Sequence, residues 1–168
     1  MLKYNEKNAK ISDIILELEI EKDKLPLYYE LLSKTESPLI WGCFADLLKD
    51  SCKNDKEFKD IILGMLESPK TNGARGCLLN AVACFDDYDE RTVKILFEQV
   101  THGNLECRNK GADIIKRVLS VADDALKQKT MEMLEESLDE LYRRCDLLEQ
   151  FLPNDSENEN DSINTDDT

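Results

Sequence analysis

The stretch Arg75–Phe85, RGCLLNAVACF, sets a glycine, two cysteines and a nearly unbroken apolar run inside a chain of which 35% is charged. Such a run belongs inside a fold, and the rest of the sequence indicates what covers it. With Gly76 as anchor, Gly42 stands 34 residues earlier and Gly111 stands 35 later, and a small residue follows each: Cys43, Cys77 and Ala112. Eleven residues before the three glycines stand Leu31, Met65 and Val100; fourteen before stand Tyr28, Ile62 and Phe97; fifteen before stand Leu27, Ile61 and Leu96. One helical face therefore recurs three times.

Each unit reads as a helix of about 12 to 15 residues, a short turn, and a second helix carrying the small pair. Turn signals punctuate the units: Pro26, Ser37-Pro38, Ser68-Pro69, Asn72-Gly73, Asp86-Asp87 and His102-Gly103-Asn104. Serine before proline at 37–38 is a favoured helix start. Glycine costs about 1 kcal/mol in a helix relative to alanine, so its recurrence implies helices that approach closely. Upstream, Ile11, Ile14, Ile15 and Leu18 form one apolar stripe. The expected fold is all-α, a right-handed α-solenoid of about three helix-pair repeats with an N-terminal helix and a long C-terminal capping helix. RGCLLNAVACF is then core, packed on its paired helix and the neighbouring repeats.

The segments NGARGCLLNAVACF and LECRNKGADIIKRVL resemble second helices of HEAT repeats, in which an arginine precedes small residues and a leucine-rich face. Arg75 with Gly76, Cys77 and Leu79 carries the likeness, as does Arg108 with Gly111, Ala112 and Ile115. The resemblance runs from about Leu25 to Val121. The first unit, with Pro38-Leu39-Ile40-Trp41, lacks the arginine, and the period is shorter than the usual HEAT length. Tetratricopeptide repeats share the spacing, but their tryptophan, glycine and tyrosine signature is missing. A HEAT-like or armadillo-like scaffold implies protein recognition.

At 168 residues the chain suits one domain, read as 1–153, followed by an acidic tail, 154–168. The tail holds six acids, no base and one hydrophobic residue, Ile163, a composition expected to be disordered. Thirty-six acidic against 22 basic residues give a net charge of −14. That excess repels nucleic acid and anionic membranes, and it calls for a basic protein partner. The first 25 residues hold no uninterrupted apolar core of a signal peptide, and no run is long enough to cross a bilayer. The expected location is cytoplasmic, with Cys43, Cys52, Cys77, Cys84, Cys107 and Cys145 reduced.

Catalytic chemistry finds little support in the residues. His102 is the one histidine and sits in a turn signal, with no serine or cysteine motif to pair with it. The cysteine spacings contain no CxxC, and TNGARG lacks the lysine and threonine of a phosphate loop. No metal, cofactor or enzymatic activity is expected, and Asp86-Asp87 reads as a solvated loop.

Binding is the better reading. The column before each glycine holds Trp41, Arg75 and Lys110; two charged occupants suggest that it reaches solvent, making Trp41 an interface anchor. The alternative packs Trp41 beneath the N-terminal helix. Asp86, Asp87, Tyr88, Asp89 and Glu90 cluster in one loop and Asp123 and Asp124 in another, with Asp46 and Asp50 on the first unit's second helix. Equivalent loops of a solenoid lie side by side, so these residues are expected to form an acidic rim facing a basic partner. Small acidic HEAT-like chains are similar to bacterial immunity proteins, which implies a cognate basic toxin domain such as a nuclease. The other reading is an adaptor for basic peptides or helices. Met131, Leu134, Leu138, Leu141, Cys145, Leu148 and Leu152 alternate spacings of three and four. That pattern permits self-association through a coiled-coil seam, although a cap over the last repeat is the preferred reading.

Overall fold

A computed structural model of the chain describes Ile15 and residues 20–151. Among these residues are seven α-helices and no strand: α1 (Leu25–Lys34), α2 (Pro38–Leu48), α3 (Lys56–Glu67), α4 (Arg75–Val82), α5 (Glu90–His102), α6 (Leu105–Val121) and α7 (Asp124–Glu149). Of the expected N-terminal stripe only Ile15 is described, helical and buried. The acidic tail, 154–168, lies outside the described residues.

Local chemistry explains the helix starts. Asp55, Asp89, Asn104 and Asp123 each accept a hydrogen bond from a backbone N–H three residues on, at Phe58, Thr92, Cys107 and Leu126, over 2.8 to 3.0 Å. These side chains satisfy donors that a helix leaves orphaned. Proline opens α2 at Pro38, but the Ser37 side chain does not cap it.

The chain divides into two units, Met1–Met133 and Leu134–Thr168. In the first, α1 packs on α2, α3 on α4 and α5 on α6. Equivalent helices of successive pairs also touch: α1 with α3, α3 with α5, α2 with α4, and α4 with α6. The stretch Arg75–Phe85 lies at the centre of this network. Leu78, Leu79, Ala81, Val82 and Phe85 are buried, while Cys77 and Cys84 are half-buried. The helix stops at Val82, and Phe85 folds back edge-on to Phe58 at 6.4 Å, which stacks on Tyr29 at 6.1 Å. Such ring pairs add about 1 kcal/mol to simple burial. Arg117 of α6 donates to the carbonyls of Ala83 and Phe85, closing the end of α4 from the next helix pair.

The column Tyr28, Ile62 and Phe97 is buried in all three pairs. Other columns grade along the chain, from exposed Leu27 through half-buried Ile61 to buried Leu96. A methyl group on Gly42 would meet Cys77 Sγ at 3.1 Å, and one on Gly111 would meet Val100 Cγ2 at 3.0 Å and the Leu96 carbonyl at 3.3 Å. These two glycines permit the close approaches the sequence implied. Gly76 differs, because only the flexible Glu106 carboxylate fills the space beside it.

The second unit opens inside α7. Over its 26 residues α7 buries Thr130 alone. Leu138, Leu141, Cys145 and Leu148 are exposed.

Candidate functional site

Trp41 is the first residue to test against the expected interface, since its column was read as reaching solvent. It is 6% exposed, and its Nε1 donates to the Thr35 carbonyl at 2.8 Å. The exposed-anchor reading is therefore corrected: the other two positions of the column hold Arg75 and Lys110 half-buried, with their charges turned to local carbonyls. Arg75 donates to the Ser68 carbonyl at 3.3 Å, and Lys110 donates to that of Gly76 at 3.0 Å. A long side chain can thus be charged and still lie along a helix interface.

The predicted loop carboxylates do come together with neighbouring pairs, but they bring bases with them. Asp86, before α5, accepts from Lys53 at 3.0 Å and Asn54 at 2.8 Å, both in the α2–α3 turn. The Lys53 and Asn54 donors hold the Asp86 carboxyl below its usual range. Asp87 pairs with Lys59 of α3, whose ammonium also lies 5.5 Å over the Phe85 ring. Glu90 pairs with Lys94 at 2.9 Å, which lowers its pKa likewise.

The remaining predicted residues include helix caps and a local ion pair. Asp89 caps α5, accepting from the Thr92 N–H and hydroxyl at 2.8 and 2.7 Å. Asp123 caps α7, and Asp124 lies in that helix's first turn. Asp46 pairs with Lys49 at 2.9 Å on α2. Asp50 is exposed in the turn after α2. Tyr88 is half-buried, and its hydroxyl is enclosed without a hydrogen-bond partner. The loop carrying Asp86 meets the α2–α3 turn, and Asp86, Asp87 and Glu90 are each paired with a lysine.

The unbalanced charge lies elsewhere. Residues 134–168 carry 12 acids against two bases, −10, leaving 24 against 20, −4, for residues 1–133. On the described part of this arm, Glu135, Glu136, Asp139, Asp146 and Glu149 are exposed. Glu140 alone is held by bases, Arg144 at 2.9 Å and Arg143 at 3.8 Å. Sequence reasoning passed over these residues in favour of adjacent-acid clusters. Charge summed along the chain would have found them, whereas the pairing of Asp86 and Asp87 with residues some 30 positions away had no local signal.

A groove of about 720 Å³ beside α1 and α3 is lined by Lys34, Thr35, Trp41, Asp60, Ile61 and Met65 among others. Among the described residues no group of three histidine, cysteine or acidic side chains is placed to hold a metal. Burial raises the pKa of Cys52, Cys77, Cys84 and Cys107, which keeps them as thiols rather than nucleophilic thiolates. No helix among the described residues is long and apolar enough to cross a membrane. Compared with known proteins, the chain matches no family model, no curated protein and no solved structure.

Proposed function

We propose that residues 25–121 form a HEAT-like, right-handed α-solenoid of three helix pairs, and that the chain is an acidic module that binds a basic protein. The pairwise packing, in which each helix touches its mate and its equivalents in neighbouring pairs, supports the solenoid. The partner is a basic toxin domain, such as a nuclease, and the module is its immunity-type inhibitor. A nuclease surface must attract phosphate and is therefore basic.

The observation that carries the binding reading is the partition of charge. With −10 of the net −14 in residues 134–168, a basic partner is attracted chiefly to the arm. The paired loop edge at Asp86, Asp87 and Glu90 offers less. An adaptor recognising basic peptides is the second reading, favoured by the groove beside Trp41, whose lining of Trp41, Ile61 and Met65 with Glu36 and Asp60 suits a basic amphipathic segment.

The test is co-expression with the basic domain encoded beside this chain, scored by cell survival. Protection should persist when Asp86 and Asp87 become asparagine. It should fail when Glu135, Glu136, Asp139, Asp146 and Glu149 become glutamine or asparagine. Protection indifferent to the arm substitutions overturns the arm as the interface. Absence of any neutralised domain, with salt-labile binding of several basic peptides at the groove, decides for the adaptor.

A further inference from the structure

The apolar seam of α7 has a spacing and a charge pattern of its own. With Leu138 and Cys145 at a positions, Leu134, Leu141 and Leu148 fall at d, and Leu152 continues the spacing in the sequence. Leucine at every d position is compatible with a two-stranded coiled coil. The seam is open: Leu141 is 50% exposed and Leu148 67%, and Phe151, at a flanking g position, is 84% exposed. Ordinary surfaces carry isolated leucines, but a continuous heptad stripe is a surface with an occupant.

The charges name the occupant. Between Leu134 and Phe151, five of eight charged residues, Glu136, Asp139, Glu140, Arg143 and Asp146, fall at b, c or f, away from the seam. Three flank it: Glu135 and Glu149 at e, and Arg144 at g. In a parallel, in-register pair each g side chain faces the e position five residues on in the other strand. Arg144 then meets Glu149, twice by symmetry, and Ser137 meets Tyr142, with no like charges opposed. The antiparallel register that sets Cys145 against Leu141 opposes Arg144 to its own copy and Glu135 to Glu149. The register that sets Leu138 against Leu141 leaves Arg144 facing Ser137 and Glu135 facing Tyr142, without an attractive pair. Arg144 now holds Glu140 at 2.9 Å, and Arg143 also reaches Glu140, so Arg144 can turn to a second strand without stranding that carboxylate.

We infer that α7 is a homodimerisation element, its seam pairing in parallel with the same seam of a second copy of this chain. This does not rest on the proposed function: the seam uses a, d, e and g positions, Glu135 and Glu149 among them, while Glu136, Asp139 and Asp146 at f and b stay free for a basic partner. The two arms repel at long range, with −10 on each. Salt should therefore tighten the dimer as the screening length falls from about 10 Å at 0.1 M to about 3 Å at 1 M. Binding to a basic partner should weaken over the same range.

The experiment is sedimentation of the full chain, alone, from about 1 to 100 µM, since a seam this short gives a concentration-dependent dimer. The expected result is a monomer shifting to dimer, more completely at high salt. Leu141→Glu should weaken the dimer by more than about 100-fold, because two opposed charges would be buried. Circular dichroism should show its helix content retained, as Leu141 is exposed in the single chain. Arg144→Glu should weaken it about tenfold, and adding Glu149→Arg should restore it, by reversing two flanking pairs. With added diamide as oxidant, two Cys145 thiols give up two electrons and two protons and form an inter-chain disulfide that Cys145→Ser abolishes. A monomer at every concentration and salt overturns the inference, as does a dimer indifferent to Leu141→Glu. A dimer that never links through Cys145 overturns the parallel register. A monomer whose seam instead takes up a basic amphipathic peptide overturns the second copy as occupant.

Discussion

The first unit and the arm are both helical and both rich in leucine and acid, yet they handle those residues in opposite ways. In the first unit apolar columns close on each other, and loop acids meet bases from the neighbouring pair, as Asp86 meets Lys53 at 3.0 Å. In the arm the leucines of α7 face solvent and 12 acids meet two bases. Composition alone does not make a core. Return of the chain past itself does, because each helix pair supplies the apolar face and countercharges that the next one needs. A single helix can satisfy its backbone but not its side chains.

Substitutions at comparable apolar residues give the sharpest contrast. Phe58 is fully buried between Tyr29 and Phe85. Phe58→Ala should cost about 3 to 5 kcal/mol in denaturant unfolding. Leu141→Ala, measured in dilute monomer, should change stability by less than about 0.5 kcal/mol. A large loss at Leu141 in the monomer would break the contrast.

Asp89 separates a structural duty from a charge. Asp89→Ala removes both acceptor contacts to Thr92 and should cost about 1 to 2 kcal/mol. Asp89→Ser deletes the charge but keeps an N-cap oxygen, and should stay within about 0.5 kcal/mol of the parent. Equal losses in the two thermal melts would mean that the charge, not the cap, is what matters there.

The glycines test close approach. Gly111→Ala forces a methyl against Val100 and the Leu96 carbonyl and should lose about 1 kcal/mol after its gain in helix propensity. Gly76→Ala displaces only the Glu106 carboxylate and should be within about 0.5 kcal/mol of neutral. The reverse order in urea unfolding would put the tight contact at the wrong helix pair.

Acid should divide the two regions most gently. The folded pKa values of Asp86 and Glu90 are lowered by Lys53 with Asn54 and by Lys94, so their stabilising pairs are complete above the unfolded carboxyl pKa values of about 4. They are lost as pH falls through the lower folded values. The melting temperature of the first unit should therefore decline below about pH 4. Over the same range protonation relieves repulsion in the arm, so helix content there should hold or rise. A parallel decline in both regions would refute the distinction.

Much of the helical architecture was legible because periodicity is local. Gly42 and Gly111 mark close approaches, and Tyr28, Ile62 and Phe97 mark a buried column. The site was less legible. Asp86 reads as a free carboxylate beside Asp87, but its partners Lys53 and Asn54 lie 33 and 32 residues away. Trp41 shared a column with two bases, yet tryptophan buries its ring where arginine and lysine lie along the helix interface with their heads on the Ser68 and Gly76 carbonyls.

By itself, then, the sequence determined the features that near neighbours dictate: helices, their punctuation, a three-fold recurrence, the net charge and the heptad spacing of α7. Only the tertiary structure decided which apolar faces are covered and which acids are balanced. Leu79 and Leu141 are the same residue in similar helical patterns, one fully buried and the other half exposed. Burial and ion pairing depend on groups that close in space after long excursions of the chain, and no window along it contains both partners.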